Sequence, residues 1–163
     1  MKLRTLAFFA LGMTPIALAA QQAPPSGWTW ALDGPGIPVA SEQAVTPSSF
    51  YFVSMAPGWH MAMGPGGLLY DPRYFAEQNW MLETEVFLSP GDSQEGYGIF
   101  FGGSQLKDPS RAYTAFVMRR DGFAALLEYR GGATRPIRPW ARAAAVAVQR
   151  GSNPAQQLIR VTM

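Results

Sequence analysis

Glu83 and Glu85 stand two residues apart in the stretch WMLETEVFLS, residues 80–89. In a strand that spacing separates their Cα atoms by roughly 6.6 Å on one face. Their carboxyls can then approach the separation of about 5–5.5 Å that a retaining glycosidase uses. The same parity sends Leu82, Thr84, Val86 and Leu88 to the opposite face. Burying two unpaired carboxylates would cost several kcal/mol, so the glutamate side is expected to be the wetter one.

Three further residues could join them. The stretch AYTAFVMRRDGFAALLEYR reads as a hairpin turning at Asp121-Gly122. A two-residue turn there matches the twist of the flanking strands. It would oppose Arg119 to Ala124, Ala115 to Glu128 and Tyr113 to Arg130, bringing Tyr113, Arg119 and Glu128 to one mixed face. Carboxylates and guanidinium groups bond sugar hydroxyls, and an aromatic ring covers the apolar face of a pyranose. Cross-strand charge pairing accounts for the same residues without a ligand.

Between these segments lies SQEGYGIFFGG, residues 93–103. A phosphate-binding loop would place its glycines where a strand meets a helix, and no helical pattern follows here. The stretch reads instead as a strand with Tyr97, Ile99 and Phe101 on one side and Gly96, Gly98, Phe100 and Gly102 on the other. A bare strand face signals close backbone packing, a bulge, or room for a ligand beside Gly98 and Phe100.

Positioning these residues falls to many short strands. Aromatic and β-branched runs (WTWAL, SFYFVSM, WHMAM, GLLY, ATRPIRPW and QLIRVTM besides those above) are separated by Gly, Pro, Asp and Ser clusters. Such spacing indicates an all-β antiparallel sandwich. PWARAAAVAVQR could form a short helix through its alanine content.

Residues 1–20 read as a signal peptide: Lys2 and Arg4, an apolar run, then Ala17-Leu18-Ala19. Residues 21–27 form a short flexible lead-in, and 28–163 a single β-sandwich domain. The expected destination is the periplasm or the medium, with no membrane span in the mature chain. Lys2 and Arg4 supply the whole excess of 13 basic over 11 acidic residues, so the mature chain is near neutral and nucleic acid is not an expected partner. With no cysteine and one histidine, His60, thiolate zinc sites and Ser-His-Asp triads have no basis. Asp71, Asp92 and Asp108 sit in turn contexts; they could ligate calcium, although turn stabilisation explains them as well.

The stretches GWHMAMGPGGLLYDP, NWMLETEVFLSPGDSQEGYGIFFGG and YTAFVMRRDG together resemble the concanavalin A-like lectin and glucanase sandwiches. Among these, the chain is most similar to exported bacterial domains related to the 3-keto-disaccharide hydrolase family. The resemblance spans about Phe50 to Arg160 and implies a jelly roll of two curved sheets whose concave face meets carbohydrate. It also implies that NPAQQLIRVTM leads into further strands, so the chain would be a sandwich lacking its last strands, or one completed by a partner. Three expectations follow: a non-enzymatic glycan-binding domain using Glu83, Glu85, Gly98, Phe100, Tyr113, Arg119 and Glu128; a glycoside hydrolase acting through Glu83 and Glu85; or an interaction domain that takes a partner strand at its C-terminal edge.

Overall fold

The computed structural model describes residues 23–163, so the expected signal peptide lies outside the described residues. Apart from one 3-10 turn at Glu42–Ala44, the regular structure is all strand, mostly in antiparallel sheets. The chain divides into two compact units that meet at Arg73 and Tyr74.

The first unit holds β1 (Thr29–Leu32), β2 (Ile37–Pro38), β3 (Ser49–Met55), β4 (Gly58–Met63) and β5 (Gly67–Tyr70). β1 and β5 form a ribbon, while β2, β3 and β4 form a second sheet with β3 in the middle. β3 is buried on both faces from Ser49 to Val53, as its unbroken aromatic and β-branched run demands. Trp30 covers one face, its ring 5.0 Å from Phe50 and 5.9 Å from the fully buried Phe52. Beyond β5, the side chain of Asp71 is buried and accepts from Arg73 Nε at 2.9 Å, and Arg73 also donates to the Ser26 carbonyl at 3.1 Å. This clip ties the entry of β1 to the exit of β5.

The second unit holds β6 (Met81–Leu88), β7 (Tyr97–Ser104), β8 (Ala112–Met118), β9 (Phe123–Arg130), β10 (Ala133–Arg142) and β11 (Ala155–Thr162). Four consecutive strands make a meander in the order β10-β9-β8-β7, and β6 pairs with β11 as a separate ribbon. Met118, Val146 and Ile159 form the buried centre between them, with Val86, Tyr97, Ile99, Phe116 and Ala124 packed around it. The unit is therefore two antiparallel layers over one core, as alternating strands require.

All ten expected strands are present; β2 is an addition the sequence did not announce. Two expectations fail locally. The hairpin does not turn on two residues: Arg119 N–H donates to the Phe123 carbonyl and Gly122 N–H to the Arg119 carbonyl, leaving a three-residue loop, Arg120-Asp121-Gly122. Gly122 has φ +85°, the left-handed closing position of such a loop. Arg120 leaves the ladder because its guanidinium bonds elsewhere: Nε donates to the Ser93 carbonyl at 2.5 Å, and Nη1 to the Gly91 carbonyl and, at 3.0 Å, to Gln149 Oε1. The alanine-rich segment forms no helix either. Ala143 and Gln149 donate their backbone N–H groups to the Gly122 and Arg120 carbonyls, and Val146 sinks into the core. Tertiary bonding overrides local propensity there.

Candidate functional site

Glu83 and Glu85 do share the exposed face of β6, alternating with the half-buried Leu82, Thr84 and Val86. Each has a cross-strand partner on β11. Arg160, opposite Glu83 in the ladder, donates Nε to Glu83 Oε2 at 2.6 Å, and the Gln156 side-chain amide donates to Glu85 Oε1. Met81, Phe87 and Leu158 stand exposed on the same surface. The two carboxylates thus lie side by side on the exposed face of the ribbon.

Gly98, Phe100, Tyr113 and Arg119 belong to another face, the side of the four-stranded sheet turned away from the ribbon, on which Tyr113, Ala115, Ala125 and Leu127 are buried. The register pairs Gly98 with Val117, Phe100 with Ala115 and Tyr113 with Tyr129. Tyr113 stacks on Tyr129 at 4.5 Å between centroids, and Phe100 meets Tyr113 edge-on at 5.6 Å. The Arg119 guanidinium lies 4.8 Å from the Trp140 ring and 5.1 Å from Phe123, and reaches Asp121 Oδ2 at 3.0 Å. These rings and charges satisfy one another.

The expected room beside Gly98 is absent. A Cβ there would lie 2.1 Å from the Phe116 carbonyl oxygen and 3.1 Å from Val117 Cα. The glycine exists for close approach of β7 to the β8 backbone.

The three-residue loop moves Glu128 as well. With Thr114 opposite Glu128, the residue shares the inner face with Phe116, opposite to the side that carries Tyr113 and Arg119. Arg135 Nε reaches its Oε2 at 3.2 Å and Arg130 Nη2 its Oε1 at 3.5 Å. The seven expected ligand-binding residues therefore occupy three surfaces rather than one groove.

His60 Nε2 lies 3.0 Å from Glu42 Oε2 without hydrogen-bond alignment. Asp108 stabilises its own turn, accepting from the Ser110 N–H at 2.8 Å and from the Ser110 hydroxyl at 2.6 Å, which holds its carboxyl below the usual range. No group of three or more His, Asp or Glu side chains among the described residues could hold a metal ion. No helix among them is long and apolar enough to cross a membrane.

What sequence reasoning did not locate is a cleft of about 230 Å³ between the sheet and β11, lined by Phe116, Met118, Ala124, Val146, Ile159 and Arg160 among others. One wall is the edge of β11 itself. Trp80 and Met163 exchange both backbone bonds, at 3.2 and 3.0 Å, so every second residue back along β11 also bonds to β6. The N–H and C=O groups of Gln156, Leu158, Arg160 and Thr162 consequently point away from β6. No strand pairs with them among the described residues. The sequence expectation of a partner strand named the C-terminal edge; which backbone groups point outward is set by the pairing of β11 with β6.

Comparison of the chain with protein families, with curated proteins and with solved structures finds no match.

Proposed function

We propose that this chain is an exported, non-catalytic interaction domain that accepts an extended segment of a partner at the open edge of β11. The observation that carries this reading is the row of outward backbone groups at Gln156, Leu158, Arg160 and Thr162 beside an apolar cleft. An added strand would gain main-chain hydrogen bonds from the edge and side-chain burial from the cleft floor, the two components of β-augmentation. Selection of a phage-displayed random peptide library on the mature chain tests it. Extended peptides that bind the parent should fail on Leu158→Pro, a change that removes an outward N–H with no partner among the described residues and is tolerated at a sheet edge. A library without Leu158-dependent binders, in a variant shown to be folded, refutes the reading.

A glycan-binding domain is the second reading, favoured by the half-exposed Phe100, Arg119 and Tyr129 on one sheet face and by the concanavalin A-like resemblance. Loss of glycan-array signal on Tyr129→Ala, with Leu158→Pro unaffected, would support it over the first.

A further inference from the structure

The open edge of β11 lies beside a floor that is not uniform along its length. At the end near the β8–β9 hairpin, the inner face of the sheet is apolar: Met118, Phe116 and Ala124 line the cleft. Toward the other end, the register places Leu126, Glu128 and Arg130 of β9 and Arg135 and Arg138 of β10 on that same inner face. Glu128 is one carboxylate set among three guanidinium groups. It already contacts two of them, at 3.2 and 3.5 Å. Arg138 has no acidic partner among the described residues. Arg130 and Arg135 are largely exposed, with about three-quarters of each side chain open to solvent. Met163, which follows the last residue of β11, pairs with Trp80, whose ring lies 5.6 Å from that of Phe101, opposite Thr114 at the Glu128 end of the sheet, so the floor changes from apolar to net basic along the direction in which β11 runs.

A strand laid against β11 turns alternate side chains inward, onto that floor. Its inward positions would be apolar over Phe116, Met118 and Ala124, and would meet a net positive charge where Glu128 is outnumbered by Arg130, Arg135 and the acid-free Arg138. A lysine there would repeat the charge already present, whereas a glutamate or aspartate would form charge-assisted hydrogen bonds. Resting on the strand-acceptor reading above, we infer that the partner segment is a polar-apolar strand with acidic residues clustered at one end, inward-facing apolar residues at the other. Read antiparallel to β11, the acidic end comes first.

The probes are acetylated, amidated peptides matched in length to Ala155–Thr162: Glu-Thr-Glu-Thr-Val-Thr-Val-Thr, its reversed order, and the counterpart of each with Lys in place of Glu. Calorimetric titration at low salt should show one acidic order binding at least about tenfold more tightly than its Lys counterpart. The gap should narrow as salt is raised. The double change Arg135→Ala and Arg138→Ala, both on exposed positions, should abolish the acidic preference while a Thr-Thr-Thr-Thr-Val-Thr-Val-Thr probe binds as before. Equal or tighter binding of the Lys peptides overturns the inference but leaves the strand-acceptor reading intact, provided binding is lost in Leu158→Pro. Acidic binding insensitive to Leu158→Pro overturns both. A dimer by sedimentation that Leu158→Pro dissolves would assign the edge to a second copy of this chain and also overturn the inference.

Discussion

Replacing Gly98 by alanine separates two meanings of a bare strand face. If the missing side chain left room for a ligand, Gly98→Ala would fold like the parent and change only binding. The geometry requires otherwise. The new Cβ would sit 2.1 Å from the Phe116 carbonyl oxygen, far inside the 3.4 Å at which ordinary contact begins. Its other close neighbours are backbone atoms too, the Phe116 carbonyl carbon and Val117 Cα, each at 3.1 Å. Backbone cannot rotate aside as a side chain can, so β7 and β8 must separate at the centre of their ladder. Overpacking of this kind costs about 3 kcal/mol. In a unit of this size each kcal/mol moves Tm by ~4–8 °C, so calorimetry should show a fall of roughly 12–24 °C. Gly96→Ala is the internal control: its nearest contact would be the edge of the Trp140 ring at 3.2 Å, a side chain that can shift, and the loss should stay below about 1 kcal/mol. A Gly98→Ala chain within about 1 kcal/mol of the parent would refute the close-approach argument.

Other outcomes follow from the same contacts. The Tyr97 hydroxyl is buried without a hydrogen-bond partner among the described residues, and burial, partly offset by the nearby Arg120 charge, holds its pKa above the usual value. Tyr97→Phe should therefore stabilise the second unit, by about 1 kcal/mol in denaturant unfolding. Hydrogen bonding from Arg73 holds the Asp71 carboxyl below its ordinary value of 3.8 despite its burial. A carboxylate depressed in the folded state contributes stability that is complete above the unfolded value and disappears as pH falls through the folded one. Asp71→Asn should thus destabilise the first unit at neutral pH, and the difference from the parent should shrink below about pH 3.8, followed by fluorescence of Trp28, Trp30 and Trp59. Glu83→Gln breaks a solvent-exposed pair with Arg160 and should change stability by less than about 1 kcal/mol.

The parity of β6 was legible because Glu83 and Glu85 alternate with Leu82, Thr84 and Val86, and two carboxylates on one face have only one sensible burial. The strands themselves were legible for the same reason, being short aromatic runs cut by Gly and Pro. The hairpin register was not. Asp-Gly closes either a two-residue turn or a three-residue loop, and the choice rests on the distant carbonyls of Gly91 and Ser93 that draw Arg120 out of the ladder. That one-residue difference carries Glu128 to the other face and divides the expected sugar-binding set. An open C-terminal edge was among the sequence expectations, but the cleft beside it and the outward residues of β11 were not legible, because they depend on β11 pairing with β6 and with no other strand among the described residues.

Amide hydrogen exchange of the chain saturated with its edge-binding peptide tests strand acceptance most directly, because alternate residues of β11 give opposite answers. The amides of Gln157, Ile159 and Val161 already bond to β6 and should be slow with or without peptide, whereas those of Leu158, Arg160 and Thr162 should become slow only when it is bound. Unchanged exchange at Leu158, Arg160 and Thr162 under saturation, or new protection confined to Tyr113 and Arg119, would contradict the account.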